Sequence, residues 1–113
     1  MQKLHLALAV KKLDSAIAEY SQRLGCESVT VAESRYALWR TESLNFSISQ
    51  IPEKAGQLRH LGFESPDIPE MFSDHDANGI EWEYFTAEQQ RQEIIKHYPD
   101  INYPETSISK CLS

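Results

Sequence analysis

Three side chains in this sequence have the types and the placement to hold a metal ion: His5 in KLHLALAV, His60 in LRHLGFE and Glu83 in IEWEYF. Each lies in a short stretch of alternating apolar character, the pattern of a strand with one face buried. Two imidazoles and one carboxylate on a common wall form a three-ligand face that keeps coordination positions open. Such a face takes Fe(II), Mn(II), Ni(II) or Zn(II), and a small oxygen-bearing molecule can enter the open positions and be polarised there. Period two decides which neighbours share the wall. His5 stands with Ala7 and Ala9, and His60 with Leu58, Gly62 and Glu64. Glu83 stands with Glu81 and Phe85, while Trp82 and Tyr84 point the other way. The small neighbours of both histidines leave room beside the rings, which suits a cavity wall. Taken singly, each residue serves equally well as a hydrogen-bonding group in a core or as a solvated carboxylate.

An internal repeat joins the two histidines. Setting His5 on His60 also sets Leu6 on Leu61, Ala7 on Gly62 and Leu8 on Phe63, and further along Leu13 on Ile68 and Ile17 on Phe72. Two copies suggest a duplicated module. The second is shortened, because its closing strand comes much sooner after its histidine.

The elements that must position these residues follow from periodicity and turn signals. KLHLALAV, residues 3–10, predicts a buried strand. In LDSAIAEYSQRLG the apolar residues Leu13, Ile17, Tyr20 and Leu24 mark one helix face, with Asp14 or Ser15 as cap and Gly25 as stop. Residues 27–32, 35–40 and 44–51 predict three strands of a meander separated by ESR and TES. Residues 58–64 predict a strand, and residues 65–79 a brief helical crossover that ends at Asn78-Gly79. Residues 80–85 predict the last strand. A parallel return to the same sheet needs about a dozen residues, which this crossover supplies. Thr86 and Gln89 form a capping box for a helix over about 87–97, within 86–98. Residues 99–113 show no period and read as a tail. The expected fold is therefore α+β, with a mixed, curved sheet in a single domain spanning 1–113. A β-α-β-β-β unit (1–51) is followed by a reduced second unit of strand, short crossover and strand (58–85), then a C-terminal helix.

Composition sets limits on function. The chain has 113 residues, 41% hydrophobic and 25% charged, enough for one core. A net charge of −6 disfavours nucleic acid as a partner. No segment is apolar enough to span a membrane, and the N-terminus lacks a signal-peptide pattern. Cys26 and Cys111 match no metal-ligand spacing, so free thiols and a cytoplasmic setting are expected. Tyr36, Trp39 and Arg59 are candidates for contact with an anionic or aromatic substrate, with Arg35 and Arg40 as further possibilities. His75 between Asp74 and Asp76 suggests a solvated turn, and His97 a favourable cation at a helix C-terminus. No phosphate loop, Cys-x-x-Cys pair or nucleophile elbow is present.

The opening LHLALAVKKLDSAIAEYSQRLG and the closing DANGIEWEYF resemble the glyoxalase/bleomycin-resistance/extradiol-dioxygenase (vicinal oxygen chelate) superfamily. RYALWRTESLNFSI and LRHLGFE resemble its members akin to cadmium-induced proteins and carbon–arsenic lyases. The resemblance covers roughly residues 3–86. It implies paired βαβββ modules around a metal cavity, with His5, His60 and Glu83 as the metal ligands. It implies a lyase, isomerase or dioxygenase acting on a small oxygenated molecule, or a metal-free drug-binding protein, or a non-catalytic scaffold. LNFSISQI lacks the acid that glyoxalase I members carry on that strand, and no cysteine pair is available for arsenic. The resemblance also implies that the second module has lost its helix and two strands. That loss leaves an exposed sheet edge, so a homodimer is expected, with strand or module exchange between copies.

Overall fold

Alternation in the first ten residues becomes β1 (Lys3–Val10), and the three-and-four spacing after it becomes α1 (Leu13–Leu24). The computed structural model of the chain describes residues 2–112. After α1 come β2 (Thr30–Ala32), β3 (Tyr36–Arg40), β4 (Leu44–Gln50), a 3-10 turn at Pro52–Lys54, β5 (Leu58–Glu64), β6 (Phe72–His75), β7 (Glu81–Phe85) and α2 (Ala87–His97). The seven strands form one open, mixed sheet in the order β2-β3-β4-β1-β5-β7-β6. β1 runs parallel to β4 and antiparallel to β5, β5 runs parallel to β7, and β6 closes a hairpin with β7.

The two faces of this α+β sheet differ in chemistry. On one, Leu13, Ile17, Tyr20 and Leu24 of α1 pack on Val10, Ala37, Trp39 and Ile48. This is the helix face the spacing predicts, and burial of its apolar side chains drives the contact. The opposite face carries α2 against Tyr36 and Leu38, with Ile94 and Tyr103 buried between them. It also carries His5, Asn45, Ser47 and Glu64, all buried.

Local signals mostly hold. Gly25 ends α1 with φ 68°, the left-handed region glycine tolerates. Thr86 and Gln89 form the reciprocal capping box at the start of α2. The cap of α1 differs from expectation. Asp14 and Ser15 lie inside the helix, Lys12 is the capping residue without a side-chain bond, and the Leu13 N–H donates to Gln50 Oε1 at 2.8 Å. A long-range partner on β4 thus replaces the local cap.

Further expectations are overturned. Residues 65–79 contain no helix; they contain the edge strand β6. Pro66 and Pro69 remove helix donors, and Asn78-Gly79 sits in a hairpin turn that pairs the preceding residues with β7. Asp76 holds that turn, accepting from the N–H groups of Asn78 (2.8 Å) and Ile80 (3.0 Å) and from Trp82 Nε1 (2.9 Å). Phe72 stacks on Tyr84, while Ile17, its counterpart in the aligned repeat, lies on α1.

The C-terminal segment, over its described residues 99–112, is also no loose tail. It is irregular but tied to the sheet. Asn102 O accepts from Thr30 Oγ1 at 2.7 Å, Ser109 N donates to Arg40 O at 2.7 Å, and Tyr103 is buried. A disulfide joins Cys26 to Cys111 across 85 residues of sequence. The expectation of free thiols therefore does not hold, and with it goes the ground for a cytoplasmic setting, which rested on reduced cysteines. Among the described residues no helix is long and apolar enough to cross a membrane.

A bridge closing so long a loop restricts the unfolded chain strongly. Cys111→Ser is expected to lower the unfolding free energy by about 2–4 kcal/mol, read by denaturant unfolding, and to open residues 99–112 to protease. Equal stability with and without the bridge would contradict this account of the C-terminal segment.

Candidate metal centre

Strand register assembles the site. Asn45 on β4 pairs with His5 on β1, His5 with Gly62 on β5, and Gly62 with Glu83 on β7. These four residues form one row across four strands, with their side-chain directions on the face opposite α1. His5 and Glu83 are two strands apart, about 9.6 Å at ordinary strand spacing. Between them lies Gly62, whose missing Cβ lets the Glu83 backbone come close to β5. His60 sits one pleat along β5 on the same face, since Ala7 pairs with His60.

His60 Nε2 lies 3.0 Å from His5 Nε2 and 3.0 Å from Glu83 Oε1, and His5 Nε2 lies 3.9 Å from Glu83 Oε1. Donor atoms each about 2.1 Å from a common ion stand about 3.0 Å apart at right angles and about 3.4 Å apart at the tetrahedral angle. The group could hold a metal ion with little movement. The expected trio is thus brought together, with Glu83 on the same side of the sheet as both histidines.

Protonation suits ligation, which needs neutral imidazole and ionised carboxylate. Burial pushes the His5 pKa below its usual 6.5, and the charge of nearby His60 pushes the same way. Burial alone would raise the Glu83 carboxyl. The hydrogen bond and charge of His60, with help from His5 and Arg59, outweigh it and hold the group below the usual carboxylate value.

The trio opens into a cavity of about 420 Å³ whose wall includes Arg35, Tyr36, Ser47, Arg59, Phe85 and Tyr98. Phe85 sets its ring edge-on to His5 at 5.0 Å and fills one side of the site. Arg59 donates to Ser49 Oγ at 3.0 Å, and the Arg35 guanidinium lies 4.8 Å above the Tyr98 ring. Burial drives the Tyr36 hydroxyl pKa far up, so it stays protonated.

Behind His5 lies a buried polar cluster. His5 Nδ1 is 2.9 Å from Asn45 Oδ1 and 3.2 Å from the Asn45 peptide oxygen. Asn45 Nδ2 donates to Glu64 Oε1 (2.9 Å) and Gln90 Oε1 (2.8 Å), and Gln90 Nε2 donates back to Asn45 Oδ1 (3.0 Å). Arg40 grips Glu64 with two bonds of 2.8 Å and also reaches the Ser107 carbonyl. Burial works against ionising Glu64, yet the bonds from Arg40 and Asn45 hold its pKa below the usual value.

Of the candidate substrate contacts, Tyr36 and Arg59 line the cavity. Trp39 does not: it is fully buried on the α1 side, where its Nε1 donates to Cys26 O at 3.1 Å. Tyr36 and Trp39 are three residues apart on β3, an odd step, so their side chains point to opposite faces and cannot share one cavity. Arg40 is committed to Glu64 and the Asp76 carboxylate to its turn, while His97, paired with Glu93 at 3.4 Å, is exposed at the rim of the cavity. The sequence reading missed Asn45, Glu64 and Gln90 as site residues. A usable signal was a polar residue at inward positions of two apolar strands. The chain matches no protein-family model and no curated protein.

Gly62 is the tightest point of the arrangement. A Cβ there would strike the Glu83 carbonyl oxygen and lie 2.8 Å from the Glu83 nitrogen and carbonyl carbon. Gly62→Ala is therefore expected to lower stability by about 3 kcal/mol and to displace the Glu83 backbone from β5. Calorimetric unfolding checks this, and a melting temperature equal to that of the parent protein would contradict it.

Proposed function

We propose that this protein binds a divalent metal ion through His5, His60 and Glu83 and acts on a small oxygenated molecule, as a lyase, isomerase or dioxygenase of the glyoxalase/dioxygenase kind. The observation that carries the reading is the convergence of the two imidazole Nε2 atoms and a carboxylate oxygen within 3.0–3.9 Å at the wall of a cavity. Zn(II), Fe(II), Mn(II) and Ni(II) all accept such a donor set.

The strand pairing supports the superfamily resemblance. β1 lies parallel to β4, which is antiparallel to β3. β5 lies parallel to β7, which is antiparallel to β6. The second unit repeats the first without its helix and its outermost strand, one strand less reduced than the sequence suggests. An ion bound at the trio supplies Lewis acidity to a substrate oxygen. The chain's own groups do the rest. Arg59 and Arg35 attract an anionic substituent, Tyr36 offers a protonated hydroxyl, and Phe85 excludes water beside His5.

The proposal includes a homodimer. β6 is exposed along its length, and Phe72 on it is 51% exposed. An uncovered edge strand with an apolar side chain favours pairing with a second copy. Sedimentation velocity is expected to give a dimer that Phe72→Lys dissociates; a monomer at all concentrations would remove this part.

Metal content decides the main reading. Tag-free protein dialysed against Zn(II) or Mn(II) is expected to retain about one equivalent. His60→Ala and Glu83→Gln should each lose it while staying folded. Protein that stays metal-free but binds an aromatic ligand in the cavity, with affinity unchanged by His5→Ala, would replace the enzyme with a metal-free binding protein.

A further inference from the structure

We infer that Glu64, ionised by Arg40, sets the tautomer of His5 through the side-chain amide of Asn45. Arg40, Asn45, Glu64, Gln90 and His5 are all buried, which limits competition from water for their bonds. Arginine only donates, and a carboxylate only accepts. With Arg40 on both of its oxygens, Glu64 stays a carboxylate and can only accept from Asn45. The Asn45 NH₂ must therefore face Glu64, and its Oδ1 must face His5. Both groups in reach of His5 Nδ1 are then acceptors, Oδ1 at 2.9 Å and the peptide oxygen at 3.2 Å. Nδ1 has to carry the proton, and Nε2 presents its lone pair toward His60 and Glu83.

Gln90 does not choose the direction. Its two bonds to Asn45 are reciprocal, amide to amide, and work equally well with both amides turned over. The choice comes from Glu64. Asn45 and Glu64 are thus positioning residues: neither lies in the trio, and they act on it through His5. The value of this for ion binding rests on the metal reading above, because a ligating histidine needs its other nitrogen held by an acceptor. The tautomer itself does not rest on that reading and can be measured without metal.

The test is nitrogen-15 NMR of the histidine rings in metal-free, full-length protein at about pH 8, where imidazole is neutral. His5 is expected to show a protonated Nδ1 and an unprotonated Nε2. In Glu64→Gln either orientation of the introduced amide sets its NH₂ against an Arg40 N–H, so neither is preferred, and a share of molecules turns the NH₂ toward Asn45. Asn45 then flips, offers a donor to Nδ1, and the Nε2–H form of His5 appears. Arg40→Lys disturbs the packing of the pair but leaves a carboxylate at 64, so it should keep the parental tautomer; a merely structural role would move both variants alike. Should Glu64→Gln fail to fold, Asn45→Ala deletes the nearer of the two acceptors while leaving the peptide oxygen and the Arg40–Glu64 pair, and the Nε2–H fraction should rise above the parental value. An Nε2–H form in the parent protein overturns the inference. So does a parental His5 spectrum in Glu64→Gln or in Asn45→Ala, which would give the tautomer to the peptide oxygen alone. Zn(II) affinity of folded Glu64→Gln is expected to fall about 10- to 100-fold. A parent protein with Nδ1–H but no Zn(II) binding would sink the metal reading and leave the relay standing.

Discussion

The arrangement depends on the close approach of the β7 backbone to a glycine on β5. Asn45, His5, Gly62 and Glu83 are opposite one another on β4, β1, β5 and β7. A Cβ at the third place would run into the Glu83 backbone, so only glycine lets β7 lie where the Glu83 side chain reaches toward His5. Glycine in a strand interior weakens the strand and often marks a close backbone approach. Here the missing side chain lets residues two strands apart share one ion-sized space, with His60 leaning in from the next pleat. A shift of register by one residue on any of these strands would send its donor to the α1 side.

The chemistry of the two faces explains how such a group is tolerated in a small domain. The α1 side is apolar, and a second apolar cluster around Tyr36, Leu38 and Ile94 lies on the α2 side; both supply hydrophobic stabilisation. The α2 side buries charge, with Arg40 and Glu64 each only 9% exposed. A buried ion pair adds little net stability over apolar packing, while losing one partner costs about 3–5 kcal/mol. The pair is therefore poorly explained as a stabilising device alone. Its bonds run on through Asn45 to His5, so the same network that satisfies the buried polar groups also holds a ring in the trio. Arg40 is further anchored by the C-terminal segment, through the Ser107 carbonyl and Ser109. That segment is in turn fastened by the Cys26–Cys111 bridge. The irregular C-terminus thus bears on the site despite its distance along the chain.

Much of this was legible in the sequence where the cause is local. Alternation located the strands, three-and-four spacing located α1, and Thr86 with Gln89 fixed the start of α2. Period two also put His5, His60 and Glu83 on faces that could agree. What escaped has a common physical origin in contacts between residues far apart in sequence. The cap of α1 comes from Gln50 on β4. β6 exists because Asn78-Gly79 makes a hairpin, and a run of apolar and polar residues after two prolines did not reveal that. The disulfide needed Cys111 brought back to the end of α1. Arg40 resembled a substrate contact because nothing in the sequence pairs it with Glu64. Trp39, one residue from its neighbours' inward positions, was placed at the cavity without respecting the alternation that sends it to the α1 core.

The central claim is that two imidazole nitrogens and one carboxylate oxygen bind a single ion. Anomalous diffraction from a crystal of tag-free protein grown with Mn(II) or Zn(II) tests it most directly. One peak within about 2.0–2.3 Å of His5 Nε2, His60 Nε2 and Glu83 Oε1 is the predicted result. A well-ordered site with no anomalous peak, where His60 still bonds Glu83 directly in the presence of excess ion, would contradict it.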